Sequence, residues 1–148
     1  MMDPPKVMLE VSFLRAVLDE GDPFHAAAAA EYARLVDEYQ AERLLLVAVS
    51  THLRPLEIPA RRPAADSLAQ HVRWFLVRSR RGPFAPVDAV HVGWQHRRVA
   101  RRARGVDDPE VAMTLVMCER HHIRRLATFD DTFQQYELEL LPAARVAG

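Results

Sequence analysis

Three short, mostly apolar runs, at residues 7–9, 44–49 and 125–129, alternate along the chain with stretches of helical periodicity. A continuous apolar run of this length reads as a strand covered on both faces, which is the habit of parallel sheets. Strands separated by helices then point to an α/β sandwich around a mostly parallel sheet.

The intervening segments support this layout. Ser12 is a favourable N-cap residue for a helix over 13–20, and Gly21-Asp22-Pro23 breaks it. A long helix over about 24–42 carries Ala28, Tyr32, Leu35, Val36 and Tyr39 on one face, with Arg34 near Glu31, Asp37 and Glu38. A short helix begins near Ser50 and meets Pro55. Asp66 caps a helix that Arg80-Arg81-Gly82-Pro83 ends. Residues 84–88 read as a short edge strand, and 89–104 as a helix with Ala89, Val92, His96, Val99 and Ala103 on one face. Asp107-Asp108-Pro109-Glu110 is a strong start for a helix to about His121, since it joins acids to a first-turn proline. A short helix to Tyr136 and a last strand over 137–141 follow.

With 148 residues, 49% apolar and 27% charged, the chain has the length and balance of one globular domain, taken as 1–148. No apolar run approaches the ~20 residues that cross a bilayer. The first residues lack a basic stretch followed by a long apolar one, and Cys118 is the sole cysteine. The expected compartment is therefore the reducing cytoplasm, with no membrane partner.

The formal net charge of zero is a cancellation. Residues 1–60 sum to −5, 61–105 to +9 and 106–148 to −4. The basic centre is built from arginine, a planar fork suited to phosphate. Within it Arg97, Arg98, Arg101 and Arg102 cluster beside Trp94, an arrangement that can hold RNA phosphates while the indole stacks on a base. The same face can also be a solvated helix surface paired with the acidic segments.

Ligands of open parallel sheets sit beyond the carboxyl ends of the strands. Glu10 directly follows the first strand, Thr128 and Asp130 close a later one, and Asp108 and Glu110 open the helix before it. Clustered carboxylates repel one another and call for a cation, and hard oxygen ligands suit Mg²⁺ or Mn²⁺. Each acid also has a local role open to it. Asp107, Asp108, Glu110, Asp130 and Asp131 sit where helix caps and first-turn acids belong, and Glu10 can pair with Arg54.

On these residues the chain resembles the PIN domains of VapC-type ribonuclease toxins. The resemblance covers residues 7–14, Asp22-Pro23-Phe24-His25, the alanine-rich helix, residues 119–133 and Leu138-Glu139-Leu140-Leu141-Pro142, about half the chain. It implies a three-layer sandwich with four to five short, mostly parallel strands, and Mg²⁺- or Mn²⁺-dependent hydrolysis of RNA phosphodiesters. Glu10, Glu110 and Asp130 would hold the metal and carry catalysis, with Asp108 and Asp131 auxiliary and Ser12 and Thr128 orienting. It also implies a homodimer and an antitoxin protein as partner. The chain departs from the family at several acid positions. Glu10 stands where Asp is usual, His52, Leu53 and Arg54 span the position of a usual Glu, and Val111 and Ala112 that of a usual Asp. Two readings stay open: an active ribonuclease, or a catalytically degenerate PIN-like module that binds RNA or protein.

Overall fold

The computed structural model describes residues 4–52, 87–90 and 108–143. Among them five strands form one sheet: β1 (Lys6–Leu9), β2 (Leu45–Val49), β3 (Val87–Val90), β4 (Arg125–Ala127) and β5 (Glu139–Leu141). Their order is β3-β2-β1-β4-β5, and each neighbouring pair is parallel. Around them lie α1 (Val11–Leu18), α2 (His25–Gln40), α3 (Pro109–Arg120) and a short 3-10 helix over Asp131–Gln135.

Successive strand residues point to opposite faces, so each strand feeds two cores. Val7 and Leu9 of β1, Leu46 and Ala48 of β2, Ala127 of β4 and Leu141 of β5 meet Phe13, Leu14, Ala28, Tyr32 and Leu35 of α1 and α2. Met8, Val47, Val49 and Leu126 point the other way, into Val111, Val116 and Met117 of α3, with Phe133 from the 3-10 helix. The result is an α/β sandwich of three layers. Phe13 and Phe133 are fully buried, one in each core. Burying a side chain of this kind contributes about 1.5–3 kcal/mol.

The expected apolar face of the long helix is largely the buried one: Ala28, Tyr32 and Leu35 are buried, and Val36 and Tyr39 pack against them in part. Both long helices end in the same device. Arg43 N–H bonds the Glu38 carbonyl and Glu42 N–H that of Tyr39, while Ile123 N–H bonds Cys118 and His122 N–H bonds Glu119. This is the Schellman pattern, whose left-handed residue is usually glycine. Here the left-handed positions are Glu42 (φ 60°) and His122 (φ 55°).

Three local expectations are corrected. Glu10, not Ser12, caps α1, because it leaves β1 in extended geometry (φ −80°, ψ 156°) and its carboxylate reaches the Ser12 amide. The strand expected at 84–88 is β3 at Val87–Val90, so residues 89 and 90 are not helical. Their backbone instead pairs with β2, Ala89 opposite Ala48 and Val90 opposite Val49. The last strand starts at Glu139, two residues later than expected. The expected helix capped by Asp66, and residues 91–104 of the other, lie outside the described residues.

Candidate active site

β1 has β2 on one side and β4 on the other, so the chain's winding reverses between β1 and β4. The crevice beyond the carboxyl ends of such a strand pair is where open α/β sheets place ligands. Glu10 and the Thr128–Asp130 turn emerge there, tied together by the Glu10 N–H bond to the Ala127 carbonyl at 2.9 Å.

Glu10 is 4% exposed, and its Oε2 is heavily engaged. It accepts from the Ser12 amide at 2.9 Å, from the Thr128 hydroxyl at 2.7 Å and, closer still, from the Ser12 hydroxyl. The same hydroxyls serve the opposite strand end. Ser12 Oγ accepts from Phe129 N–H at 2.9 Å, and Thr128 Oγ1 accepts from Asp130 N–H at 3.0 Å. Each hydroxyl has one proton. With both donated to Glu10, the 3.1 Å approach of Ser12 Oγ to Thr128 Oγ1 is a close contact rather than a further bond.

Glu10 is thus stapled to the β4 end by Ser12 and Thr128. Its bonds fall on Oε2, and Oε1 has no hydrogen-bond partner among the described residues. Asp130 is similar. Its Oδ1 accepts from Thr132 N–H at 3.0 Å as the cap of the 3-10 helix, and no described residue bonds its Oδ2.

Burial raises the pKa of Glu10 above the usual carboxylate value. The hydroxyls of Ser12 and Thr128 and the Ser12 amide pull it back, and the negative charge of Asp130 adds to the rise. Asp130 is therefore an electrostatic neighbour of Glu10, the smallest of the influences on its carboxyl.

The other candidate acids stand at the starts of α3 and of the 3-10 helix. Asp108 caps α3 through Oδ1 on the Glu110 amide at 2.8 Å, with Pro109 at the first helical position. Glu110 is exposed in the first turn. Asp131 is exposed and accepts from the Gln134 side chain at 3.2 Å. Among the described residues no group of three or more His, Cys, Asp and Glu side chains is placed to hold a metal ion. The oxygen-donor pair Glu10 and Asp130 fits a hard divalent cation as two of its ligands.

His52 was visible in the sequence only as a departure from the family, and Arg15 carried no signal. His52 stands in the helical turn that follows β2 and is 7% exposed. Burial lowers its pKa; the charges of Glu110 and Asp108 oppose that shift, and Arg15 adds to it. His52 therefore lies within electrostatic reach of Asp108 and Glu110 at the start of α3 and of Arg15 on α1. The expected RNA-binding residues Trp94, Arg97, Arg98, Arg101 and Arg102 lie outside the described residues, as do Arg54 and its expected pairing with Glu10. Cys118 is buried, which pushes its thiol up to about 12.

No protein-family model matches the sequence, and no curated protein matches it. Solved structures do. Mycobacterium tuberculosis VapC20, described as a sarcin-ricin loop cleaving toxin, superposes with a TM-score of 0.61 at 16% identity, covering 87% of this chain and 93% of that one. VapBC2 from Rickettsia felis, in a structure bound to a DNA fragment from their promoter, gives a TM-score of 0.61 at 10% identity, covering 91% and 96%. At such identities the likeness concerns the backbone. With its parallel sheet flanked by helices, this chain has the fold of the VapC-type PIN domains.

Proposed function

We propose that the chain is a metal-dependent endoribonuclease of the VapC-like toxin type, hydrolysing RNA phosphodiesters. The observation that carries this reading is the Glu10–Ser12–Thr128–Asp130 network at the strand-order reversal. It fixes the buried Glu10 carboxylate beside the backbone of the half-exposed Asp130, whose charge it feels, and a cation is the natural complement of such a pair.

Glu10 and Asp130 would hold Mg²⁺ or Mn²⁺, with Glu110 as the third acid and Asp108 and Asp131 auxiliary. When bound, such an ion supplies a water activated for attack and a positive charge for the leaving oxygen. Ser12 and Thr128 fix which oxygen of Glu10 remains available, since they take Oε2. Their second bonds, to the amides of Phe129 and Asp130, hold the β4 turn at a set distance from Glu10. Orientation of this kind by hydrogen-bonded neighbours sustains the ligands of metal sites. The arginines at 97, 98, 101 and 102, with Trp94, would bind the RNA strand.

The VapC and VapBC structures to which the chain is similar support an antitoxin partner and a homodimer. Among the described residues no helix is long and apolar enough to cross a membrane, and a cytoplasmic site of action is part of the proposal.

A second reading has its own support. The described residues form no group of three metal-binding side chains, and a histidine stands near the usual place of an acid. A catalytically degenerate module that binds RNA or protein accounts for both. The deciding experiment is cleavage of a labelled RNA with Mn²⁺ by wild type and Asp130→Ala. The nuclease reading expects activity in wild type and a loss of roughly 10²-fold or more in the variant. Equal background in both ends it.

A further inference from the structure

Asp130 rests on short supports. β4 before it has three residues, the 3-10 helix after it has five, and Phe129 separates it from Thr128. One hydrogen bond, from Phe129 N–H to Ser12 Oγ at 2.9 Å, ties the backbone at 129 to α1. A single bond is a pivot: it fixes a distance and leaves the direction of the next peptide open. The side chain of Phe129 supplies a second anchor. Its ring stacks on Phe13, with centroids 5.9 Å apart and planes 14° apart, and on Phe24, at 4.6 Å and 14°. Separations of this size belong to attractive aromatic pairs.

The two neighbouring rings come from different parts of the chain, and each is itself held. Phe13 is fully buried on α1, the helix that Glu10 caps, so its contact relates the Asp130 turn to Glu10. Phe24 is half-buried, just before α2. Its N–H donates to Asp22 Oδ1 at 2.8 Å, and the next residue, His25, donates from N–H to the Asp22 carbonyl at 2.9 Å and from Nδ1 to the Ala16 carbonyl at 2.8 Å. Phe24 caps α2 without a side-chain bond, so the ring contributes nothing to the cap. It packs against the first core and, at the shorter of the two stacking distances, against the residue next to Asp130.

We propose that Phe24 is a positioning residue for Asp130: through the Phe24–Phe129 stack, the loop before α2 sets where the Asp130 carboxylate stands relative to Glu10, and so how well the pair holds a divalent cation. This rests on the metal-dependent reading and adds to it a residue more than a hundred positions away from the acid it serves. Stacked rings resist relative tilt, whereas an aliphatic side chain at 24 fills space without fixing a plane.

The test is Mn²⁺ binding by the full chain without RNA, read from the electron paramagnetic resonance signal of the free ion, at a temperature where circular dichroism shows each variant folded. Asp130→Asn is the reference for loss of a ligand. Phe24→Leu is expected to weaken Mn²⁺ binding roughly tenfold or more, the usual effect of losing a group that orients a metal ligand. Phe24→Tyr keeps the ring and retains wild-type affinity. Leu35→Val trims a fully buried residue of α2 in the same core, and is expected to lose stability while keeping Mn²⁺ affinity. Hydrogen exchange reads the same turn without metal: the amides of Phe129 and Asp130 exchange faster in Phe24→Leu, while those of β1 keep their wild-type rates. Wild-type Mn²⁺ affinity in Phe24→Leu, with binding lost in Asp130→Asn, overturns the positioning role and leaves the nuclease reading standing. Equal weakening in Phe24→Leu and Leu35→Val also overturns it, because the ring then acts only through overall packing. Unchanged exchange at Phe129 and Asp130 overturns it as well. Absence of Mn²⁺ binding by wild type removes the proposal together with the reading on which it rests.

Discussion

The two sides of the sheet's carboxyl edge are built on opposite principles. On the β4 side, two hydroxyls, of Ser12 and Thr128, donate to Glu10 and accept from the backbone amides of Phe129 and Asp130. On the β2 side, His52 is equally buried and has no hydrogen-bond partner among the described residues. The first side holds its geometry before anything binds. The second keeps its donor unspent. One side is organised by hydrogen bonds that span two strand ends, whereas the other shows a buried imidazole with none among the described residues.

Thr128→Val is the most damaging way to break this contrast. The substitution keeps the shape of a fully buried side chain but removes its hydroxyl. Asp130 N–H loses its acceptor and Glu10 a donor, so stability should fall by about 1–3 kcal/mol in urea denaturation. His52→Leu, measured the same way, should cost far less, because it leaves no group unpaired among the described residues. Equal losses at the two positions would erase the difference between the sides.

Glu10→Gln sharpens the contrast through pH. The pKa of Glu10 is raised above its ordinary 4.5, so the folded state holds that proton more tightly than the unfolded chain. Wild type therefore loses stability as pH rises from 4.5 through the raised value, and the loss is complete above it. The glutamine does not titrate. The variant should be more stable than wild type at pH 7, with an advantage that shrinks as pH falls toward 4.5, while Mn²⁺-supported cleavage is lost. A stability difference that stays constant across that range would contradict the burial argument.

The smallest effect lies away from the edge and serves as its control. Glu42 and His122 hold left-handed conformations at helix ends. Glycine at either should raise stability by up to about 1 kcal/mol, the relief of the Cβ penalty less the entropy of glycine. Thermal melts would show the gain, with RNA binding and cleavage unchanged. Destabilisation would mean that the side chains at these turns make contacts worth more than the strain.

Much of the scaffold was legible because apolar periodicity and cap chemistry are local. The runs at 7–9 and 44–49 are strands, and Asp108-Pro109 opens a helix as expected. Reading Ser12 as the cap failed because a glutamate is an uncommon cap, and its choice depends on Thr128, more than a hundred residues away. Placing residues 89 and 90 in a helix failed because helical spacing of apolar residues does not foresee that β2 offers a free edge to pair with. Glu10, Ser12, Thr128 and Asp130 were found as candidates by their position at strand ends and by resemblance. The isolation of His52 had no signal in the residues around it.

What the residues determined by themselves is the menu: short buried strands, amphipathic helices, and acids placed just beyond the strand ends. Those follow from side-chain volume, polarity and backbone preference within a few positions. What only the tertiary structure decided is who meets whom. The order β3-β2-β1-β4-β5 sets the β1 and β4 ends side by side, which lets two hydroxyls join Glu10 to the amides of Phe129 and Asp130, and it leaves His52 buried with no hydrogen-bond partner among the described residues. Hydrogen bonds between residues far apart in sequence depend on the packing of whole layers, and no local pattern encodes them.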